Sequence, residues 1–302
     1  MDILERFKNY DDLCCWQYKI RQNNQESDLV ESNITEEEVG NLRIEDFTFE
    51  FVPKEDKETV KLIKGFIEKH EWLGKMSNYP THLFIAKYKN ILAGVVIMDM
   101  PNAFSKLLGD KTKKLERLIS RGACISWSPK NLASALIMYS IKWMVKNTQY
   151  RVFTAYSDPE AKEIGTIYQA CNFNYLGQNS GCNKQYKVDG KWVSDRYFRS
   201  RSVYKRISIQ NGIKWDDSWV DGDKVLFDKI EPEIALKIRE YSKAYLESSE
   251  VRIVPKKHKY AYILGASKKE TLRLREEFKT LNPKMANLPY PKDRGNSNIK
   301  IK

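Results

Sequence analysis

Histidine is scarce in this chain: three residues in 302. Cysteine is little more common. The five thiols are odd in number and Cys14 and Cys15 are adjacent, which suits no ordinary disulfide framework. No Cys-x-x-Cys pair exists, and this excludes a zinc ribbon or finger. Cys124 and Cys171 lie in apolar settings and read as inert thiols. No apolar run approaches the ~20 residues that a bilayer-crossing helix needs. The opening MDILERFKNYDDLCC lacks the basic, apolar, small-residue order of a signal peptide, so a cytoplasmic setting is expected. There is no internal repeat, and nothing in the pattern sets an oligomeric state.

What the chain does have is apolar residues for a core, at 41 % with 12 % aromatic, and a net charge of +12. The charge is unevenly placed. Residues 180–302 hold 28 Lys/Arg against 16 Asp/Glu, which is +12, and residues 1–179 hold 24 of each sign. A cationic excess confined to one end points to a polyanionic partner; a solvated surface is the plain alternative.

Apolar spacing in residues 1–24 predicts one or two short helices, followed by an acidic loop or short helix over 25–40. Residues 47–52 alternate as a strand, 54–70 repeat at helical spacing, and 81–88 with 91–98 form a hairpin. Residues 101–118 read as an amphipathic helix or lid. A strand over 122–127, a helix over 131–147, a strand over 151–156, a helix over 160–171 and a strand over 173–177 complete a mixed α/β sheet covered by helices. Beyond residue 180 a hairpin turns at Asp189-Gly190. A helix over 231–246, a strand over 260–264 and a helix over 268–281 opened by Ser267 follow. The last twenty residues, with Pro283, Pro289 and Pro291, read as an extended arm. The division expected is an N-terminal helical extension over 1–44, a catalytic core over 45–180 and a basic α+β extension over 181–302.

Three features carry chemistry. The first is the bend SWSPKNLASA, from Ser126 to Ala135, where a strand feeds a helix. A helix N-terminus offers free N–H groups and partial positive charge to a pyrophosphate, and small residues let it approach. Ser128, Lys130, Asn131, Ala133 and Ser134 are the candidate cofactor contacts. Lys130, Ala133 and Ala135 stand where acetyltransferases place Arg or Gln, Gly, and Gly or Ala. The second is Asp158, just after a strand, with Tyr168 on the helix beyond it, where open sheets bind ligands. Asp158 can orient an amine or ligate a cation and Tyr168 can protonate a thiolate, although Asp158-Pro159-Glu160 also reads as a helix cap and Tyr168 as core. Among the histidines, His70 is a site candidate at a helix end, His82 sits in a strand, and His258 reads as a phosphate contact or surface residue. The third is the basic, aromatic stretch Lys184, Lys187, Trp192, Arg196, Arg199, Arg201, Lys205 and Arg206, joined by Lys256 and Lys257. Cations meet phosphates and flat rings stack on bases, a nucleic-acid pattern.

The segments SRGACISWSPKNLAS, FTAYSDPEAKEIGTIYQACNF, FIEKHEWLGKM and THLFIAKYKNILAGVV resemble the phage Mom family of DNA-adenine modification proteins, which have a GNAT-like core. The resemblance implies a GNAT-like mixed central sheet, acetyl-CoA as cofactor, a bound iron (Fe2+), and conversion of adenine in double-stranded DNA to N6-carbamoylmethyladenine, shielding phage genomes from host restriction. It also implies a host bacterial cytoplasm. It places His70, Asp158 and Tyr168 at the metal and in the chemistry, with Glu71 where an aromatic hydroxyl is expected. Arg121 matches a cofactor- or substrate-binding arginine, with Arg117 its competitor. Duplex adenine would have to be flipped to reach the site. An ordinary N-acetyltransferase for a protein or RNA amine, and a non-catalytic DNA-binding protein on the same scaffold, are the alternatives left by the residues themselves.

Overall fold

A computed structural model describes residues 14–77, 79–181, 183–292 and 300–301. In chain order the elements are α1 (Trp16–Ser32), α2 (Glu36–Asn41), β1 (Phe47–Val52), α3 (Lys57–His70), β2 (Pro80–Tyr88), β3 (Ile91–Asp99), β4 (Leu107–Asp110), α4 (Thr112–Leu115), β5 (Glu116–Cys124), α5 (Leu132–Asn147), β6 (Val152–Ser157), α6 (Thr166–Ala170) and β7 (Asn174–Ser180). Then come β8 (Lys184–Val188), β9 (Lys191–Val193), α7 (Arg201–Gln210), β10 (Val220–Asp221), β11 (Lys224–Val225), α8 (Pro232–Ser248), β12 (Val251–Ile253), β13 (Lys257–Ile263), α9 (Lys268–Leu281) and β14 (Lys300–Ile301). None of the described helices is long and apolar enough to cross a membrane.

The described chain forms two compact units, residues 14–180 with 257–292, and residues 181–256 with 300–301. The first is built on a seven-stranded sheet of order β1-β2-β3-β5-β6-β13-β7. All of its pairings are antiparallel except β5 with β6. This is the expected mixed α/β sheet covered by helices, with one difference. Residues 257–281, read from the sequence as part of the basic extension, return to this unit. β13 sits between β6 and β7, and α9 packs Leu274 and Phe278 with Val152, Leu176, Ala261 and Ile263.

Local chemistry explains the elements. Asp56 caps α3 by accepting the Thr59 N–H at 3.0 Å, and its buried face is Ile63, Phe66, Ile67 and His70, at helical spacing. Helix α5 buries Leu132, Leu136, Ile137, Ile141 and Met144 against the sheet. Strand β3 is buried on successive residues from Ala93 to Met98, as a central strand covered on both faces must be.

Three expectations fail for identifiable reasons. Residues 101–118 are not one helix: they hold β4, α4 and the start of β5. Strand β5 runs 116–124 rather than 122–127 because Glu116, a charge that reads as surface, is fully buried. Its carboxylate accepts the Ser105 N–H at 2.7 Å, the Ser105 hydroxyl at 2.8 Å and the Thr154 hydroxyl at 2.8 Å. The helix expected over 160–171 is a short 3-10 turn, Pro159–Ala161, a loop, and then α6. Lys162 at φ 59° and Gly165 at φ 69° break it.

In the second unit, β9-β8-β12-β14 form a sheet and β10 pairs β11. The β8–β9 turn has positive φ at Asp189 and Gly190, as the pair suggested. Helices α7 and α8 enclose a small core of Val203, Tyr204, Ile207, Ile230, Ala235 and Ile238.

A Cβ added at Gly165 would lie 2.4 Å from the Tyr260 ring. Gly165→Ala is therefore expected to cost roughly 2 kcal/mol or more, read as a lower urea midpoint; an unchanged midpoint contradicts this packing. His82 packs near Phe51, Trp143 and Tyr150, and burial, aided by the Arg117 charge, holds its imidazole down at about 4. The unfolded chain binds that proton near 6.5 and the folded chain does not. The contribution is thus full above about pH 6.5 and is lost as pH falls toward 4. Thermal melts of His82→Phe should show a shallower decline over that window, whereas an identical decline would remove His82 from the acid limb.

Candidate functional site

Strands β5 and β6 run parallel and pair from Glu116–Val152 to Ile119–Ala155, and there the pairing stops. Both strands continue, β5 to Cys124 and β6 to Ser157. β5 stays paired with β3 on its other side, and β6 with β13. The β3–β5 register slips between Ile97 and Met98, which leaves Ser120 as the extra residue of a bulge at the point of parting. The two strands therefore face each other across a gap with their inner backbone groups free of strand partners. A cavity of about 1860 Å³ occupies this region.

Ser120, Arg121, Gly122, Ala123 and Cys124 form one wall, and Tyr156, Ser157 and Asp158 the other. The bend after β5 brings Lys130, Asn131, Ala133 and Ser134 to the same cavity at the start of α5. Ser128 does not line it. That side chain is buried and donates to the Ile125 carbonyl at 2.8 Å. Arg121 lines the cavity with its guanidinium tethered to the carbonyls of Lys75 (2.8 Å) and Ser120 (2.6 Å). Arg117 is held elsewhere, against the Tyr150 ring at 3.6 Å.

Asp158 and Tyr168 both line the cavity. Asp158 is buried, and each of its carboxylate oxygens has a partner. Oδ1 accepts the Glu160 N–H at 3.0 Å, so the capping reading is correct, and Oδ2 meets Lys257 Nζ at 2.7 Å. Lys257 was expected to contact nucleic acid; it stands at the cavity instead. Tyr168 packs between Phe173 (5.4 Å) and Tyr260 (5.5 Å). Burial, then the Glu163 charge, raises its phenol, which keeps its proton through the neutral range.

His70 does not join them. It ends α3 buried, tilted against the Phe66 ring at 4.3 Å, with Nδ1 3.6 Å from Asp28 Oδ2 and 3.5 Å from Asn24 Nδ2. The residue lining the cavity is its neighbour Glu71. His258 is buried too, with Nδ1 2.8 Å from the Tyr175 hydroxyl, and is no surface phosphate contact.

The sequence reading missed Glu163, whose Oε2 accepts the Asp158 N–H at 3.3 Å at the cavity wall. Burial pushes its carboxyl up to about 8, and the nearby Asp158 and Glu71 charges add to this. It also missed Asp99, raised by burial, with a buried Oδ1 lacking a hydrogen-bond partner beside the cavity. Glu163 sits in a polar-looking stretch and Asp99 at the end of an apolar strand, and neither position reads as a site from local spacing.

The iron implied by the resemblance is a poor fit for these residues. Of its three expected ligands only Asp158 and Tyr168 face one cavity, and they do so as a lysine-paired carboxylate and a firmly protonated phenol. No group of three His, Cys, Asp or Glu side chains among the described residues is arranged to hold a metal ion.

In the second unit the expected nucleic-acid contacts are surface cations with local partners. Lys187 pairs with Glu250 at 3.1 Å, Lys205 with Asp217 at 3.0 Å, and Arg199 with Asp195. Arg201 donates to the Gly222 carbonyl at 3.1 Å and Arg206 to the Tyr245 hydroxyl at 3.2 Å. Trp192 lies beneath two cations, Arg252 at 4.8 Å and Lys187 at 5.7 Å. Lys184, Arg196 and Lys256 are exposed.

Solved structures with some likeness are acetyltransferases. One is yncA from Salmonella typhimurium with its cofactor acetyl-CoA, 13 % identical over 48 % of this chain and 88 % of its own, at a TM-score of 0.33. A GNAT family acetyltransferase from Listeria monocytogenes is 12 % identical over 45 % and 90 %, at 0.32. One from Elizabethkingia anophelis with acetyl-CoA bound is 13 % identical over 49 % and 93 %, at 0.29. No curated protein matches the chain. Residues 46–292 match the Mom protein family, from β1 through α9, and the chain belongs to that family.

Proposed function

We propose that this protein uses acetyl-CoA to convert adenine in double-stranded DNA to N6-carbamoylmethyladenine, protecting phage DNA from host restriction. Membership of the Mom family supports an acyl-CoA-dependent modification. The parting of β5 and β6 is the observation that carries the reading. Free strand-edge groups suit the amides of a pantetheine arm, and the N-terminus of α5, with Lys130, suits the pyrophosphate at its far end. The thioester would then lie between Asp158, Glu163 and Tyr168.

The chain's own groups can do three things there. Tyr168 keeps a proton available for a leaving thiolate. The Asp158 carboxylate, fixed by Lys257 and the Glu160 N–H, can hold an incoming amine. Glu163 changes charge close to neutrality and can take up the proton released. The adenine amine is a weak nucleophile because its lone pair is delocalised into the ring, and a carbamoylmethyl group carries a carbon link and one more nitrogen than an acetyl group. Chemistry beyond acyl transfer is therefore required.

A duplex adenine must leave the stack to enter a cavity. Tyr79 and Met100, exposed at 79 % and 56 %, line the cavity as large apolar groups left in solvent and suit contact with an extruded base. The cations of the second unit, Lys184, Lys187, Arg196, Arg199, Arg201, Lys205, Arg206 and Lys256, with Trp192, supply the phosphate-binding surface in this reading. DNA affinity should accordingly fall steeply with salt.

Nucleoside mass spectrometry of DNA from cells expressing the protein tests the reading. Carbamoylmethyladenine is expected; an N-acetyl product, or unmodified adenine with the protein folded, overturns it. Asp158→Asn, which can still cap the 3-10 turn, should reduce modification more than 100-fold, on the order of the loss of a positioned catalytic group, while acetyl-CoA binding persists. Retained activity would remove Asp158 from the chemistry. Tyr79→Ala should lower DNA modification about tenfold, as loss of one stacking platform does, and leave acetyl-CoA affinity unchanged. An equal loss of acetyl-CoA affinity would instead place Tyr79 at the cofactor.

A further inference from the structure

The family match begins at residue 46, so helix α1 lies outside it. Yet α1 meets the phosphate-side bend through three side chains. Arg21 donates from Nε to the Ser126 carbonyl at 2.8 Å and from an Nη to the Ser128 carbonyl, with the Ser128 hydroxyl 3.3 Å away. Asp28 Oδ2 accepts the Ser126 N–H at 3.0 Å. The Trp127 indole N–H donates to the Ser32 hydroxyl at 3.0 Å. Positions 21, 28 and 32 are seven and four residues apart and fall on one helix face. Three successive residues of the bend, 126 to 128, are thus held by one helix.

The same helix is tied to the end of α3. Asp28 Oδ1 lies 2.9 Å from Lys69 Nζ, Asn24 donates to the Lys69 carbonyl at 3.0 Å, and Gln17 donates to the His70 carbonyl at 2.7 Å. His70 closes this contact with its ring beside Asp28. Cys15, Gln17, Tyr18 and Arg21 then line the cavity together with Lys130, Asn131 and Ser134.

We infer that α1 is a working part of the acyl-CoA site, and that Arg21 is a positioning residue that fixes the bend to receive the nucleotide phosphates. This rests on the acyl-CoA reading above. A planar guanidinium can span two carbonyls at once and still bring a positive charge to the cavity wall. Lysine offers the charge without the fork. The bend precedes α5 directly, so its conformation decides whether Lys130 and the first turn of α5 face a ligand.

The test compares two probes on the full chain by calorimetry. Acetyl-CoA carries the nucleotide phosphates and S-acetylpantetheine does not. Arg21→Gln is expected to weaken acetyl-CoA about tenfold or more, as loss of a charge-assisted pair does, and to leave S-acetylpantetheine within about twofold. Arg21→Lys, the milder change, should recover only part of the loss. It carries the same comparison should Arg21→Gln not fold. Equal weakening of both probes means that α1 is only a structural wall and overturns the inference. Unchanged acetyl-CoA affinity overturns it too. Failure of the parent protein to bind acetyl-CoA at all would overturn the acyl-CoA reading and this inference together, and is seen before any variant is made.

Discussion

The molecule depends on one broken hydrogen-bond ladder. Strands β5 and β6 are the only parallel neighbours in the described seven-stranded sheet, and they stay together for four residue pairs. Past Ile119 and Ala155 each leans on its outer partner, β3 or β13, and the inner backbone groups are left without strand partners. Polar backbone that is neither paired nor solvated is costly, so such a gap persists only where water or a ligand fills it. The bulge at Ser120 begins the divergence, and the buried Glu116 below it anchors the paired half through Ser105 and Thr154. Lys130, Asn131, Ser134, Asp158, Glu163 and Tyr168 all line this opening.

Burial dominates the electrostatics of the opening. Burial, then the Asp158 charge, raises the Glu163 carboxyl, and burial, then the Glu163 charge, raises the Tyr168 phenol. Lys257 pairs with the Asp158 carboxylate at 2.7 Å, and its charge partly offsets the burial that raises the Glu163 carboxyl. Lys257 arrives on β13, about a hundred residues after Asp158 in the chain. A strand inserted late between β6 and β7 thus supplies the counter-charge of the cleft, along with Tyr260 beneath Tyr168.

Much of this was legible in sequence. The periodicity of α3 and α5, the 81–98 hairpin, the Asp189-Gly190 turn and the Ser267 cap follow from local rules, and the structure has each of them. The bend from Ser126 to Ala135 and the Asp158–Tyr168 block were readable because their residue types are bound to a turn and a helix start. What escaped was non-local. Glu116 and Arg117 look like surface charges, and their burial depends on partners 11 and 33 residues away or more. His70 looks like a ligand until α1 places Asp28 and Asn24 beside it. Cations in the basic stretch look free because local spacing does not reveal Asp217 or Glu250 as partners. The residues expected to form a terminal arm lie partly outside the described chain, and the part within it includes Tyr290, which donates to the Phe173 carbonyl at 2.6 Å.

Hydrogen–deuterium exchange with and without acetyl-CoA measures the central claim most directly, because it reads the backbone groups on which the claim rests. Slowed exchange confined to residues 120–124, 128–135 and 156–158 on adding acetyl-CoA is the predicted result. Protection located away from the parted strands, or no protection at saturating acetyl-CoA, would contradict the account.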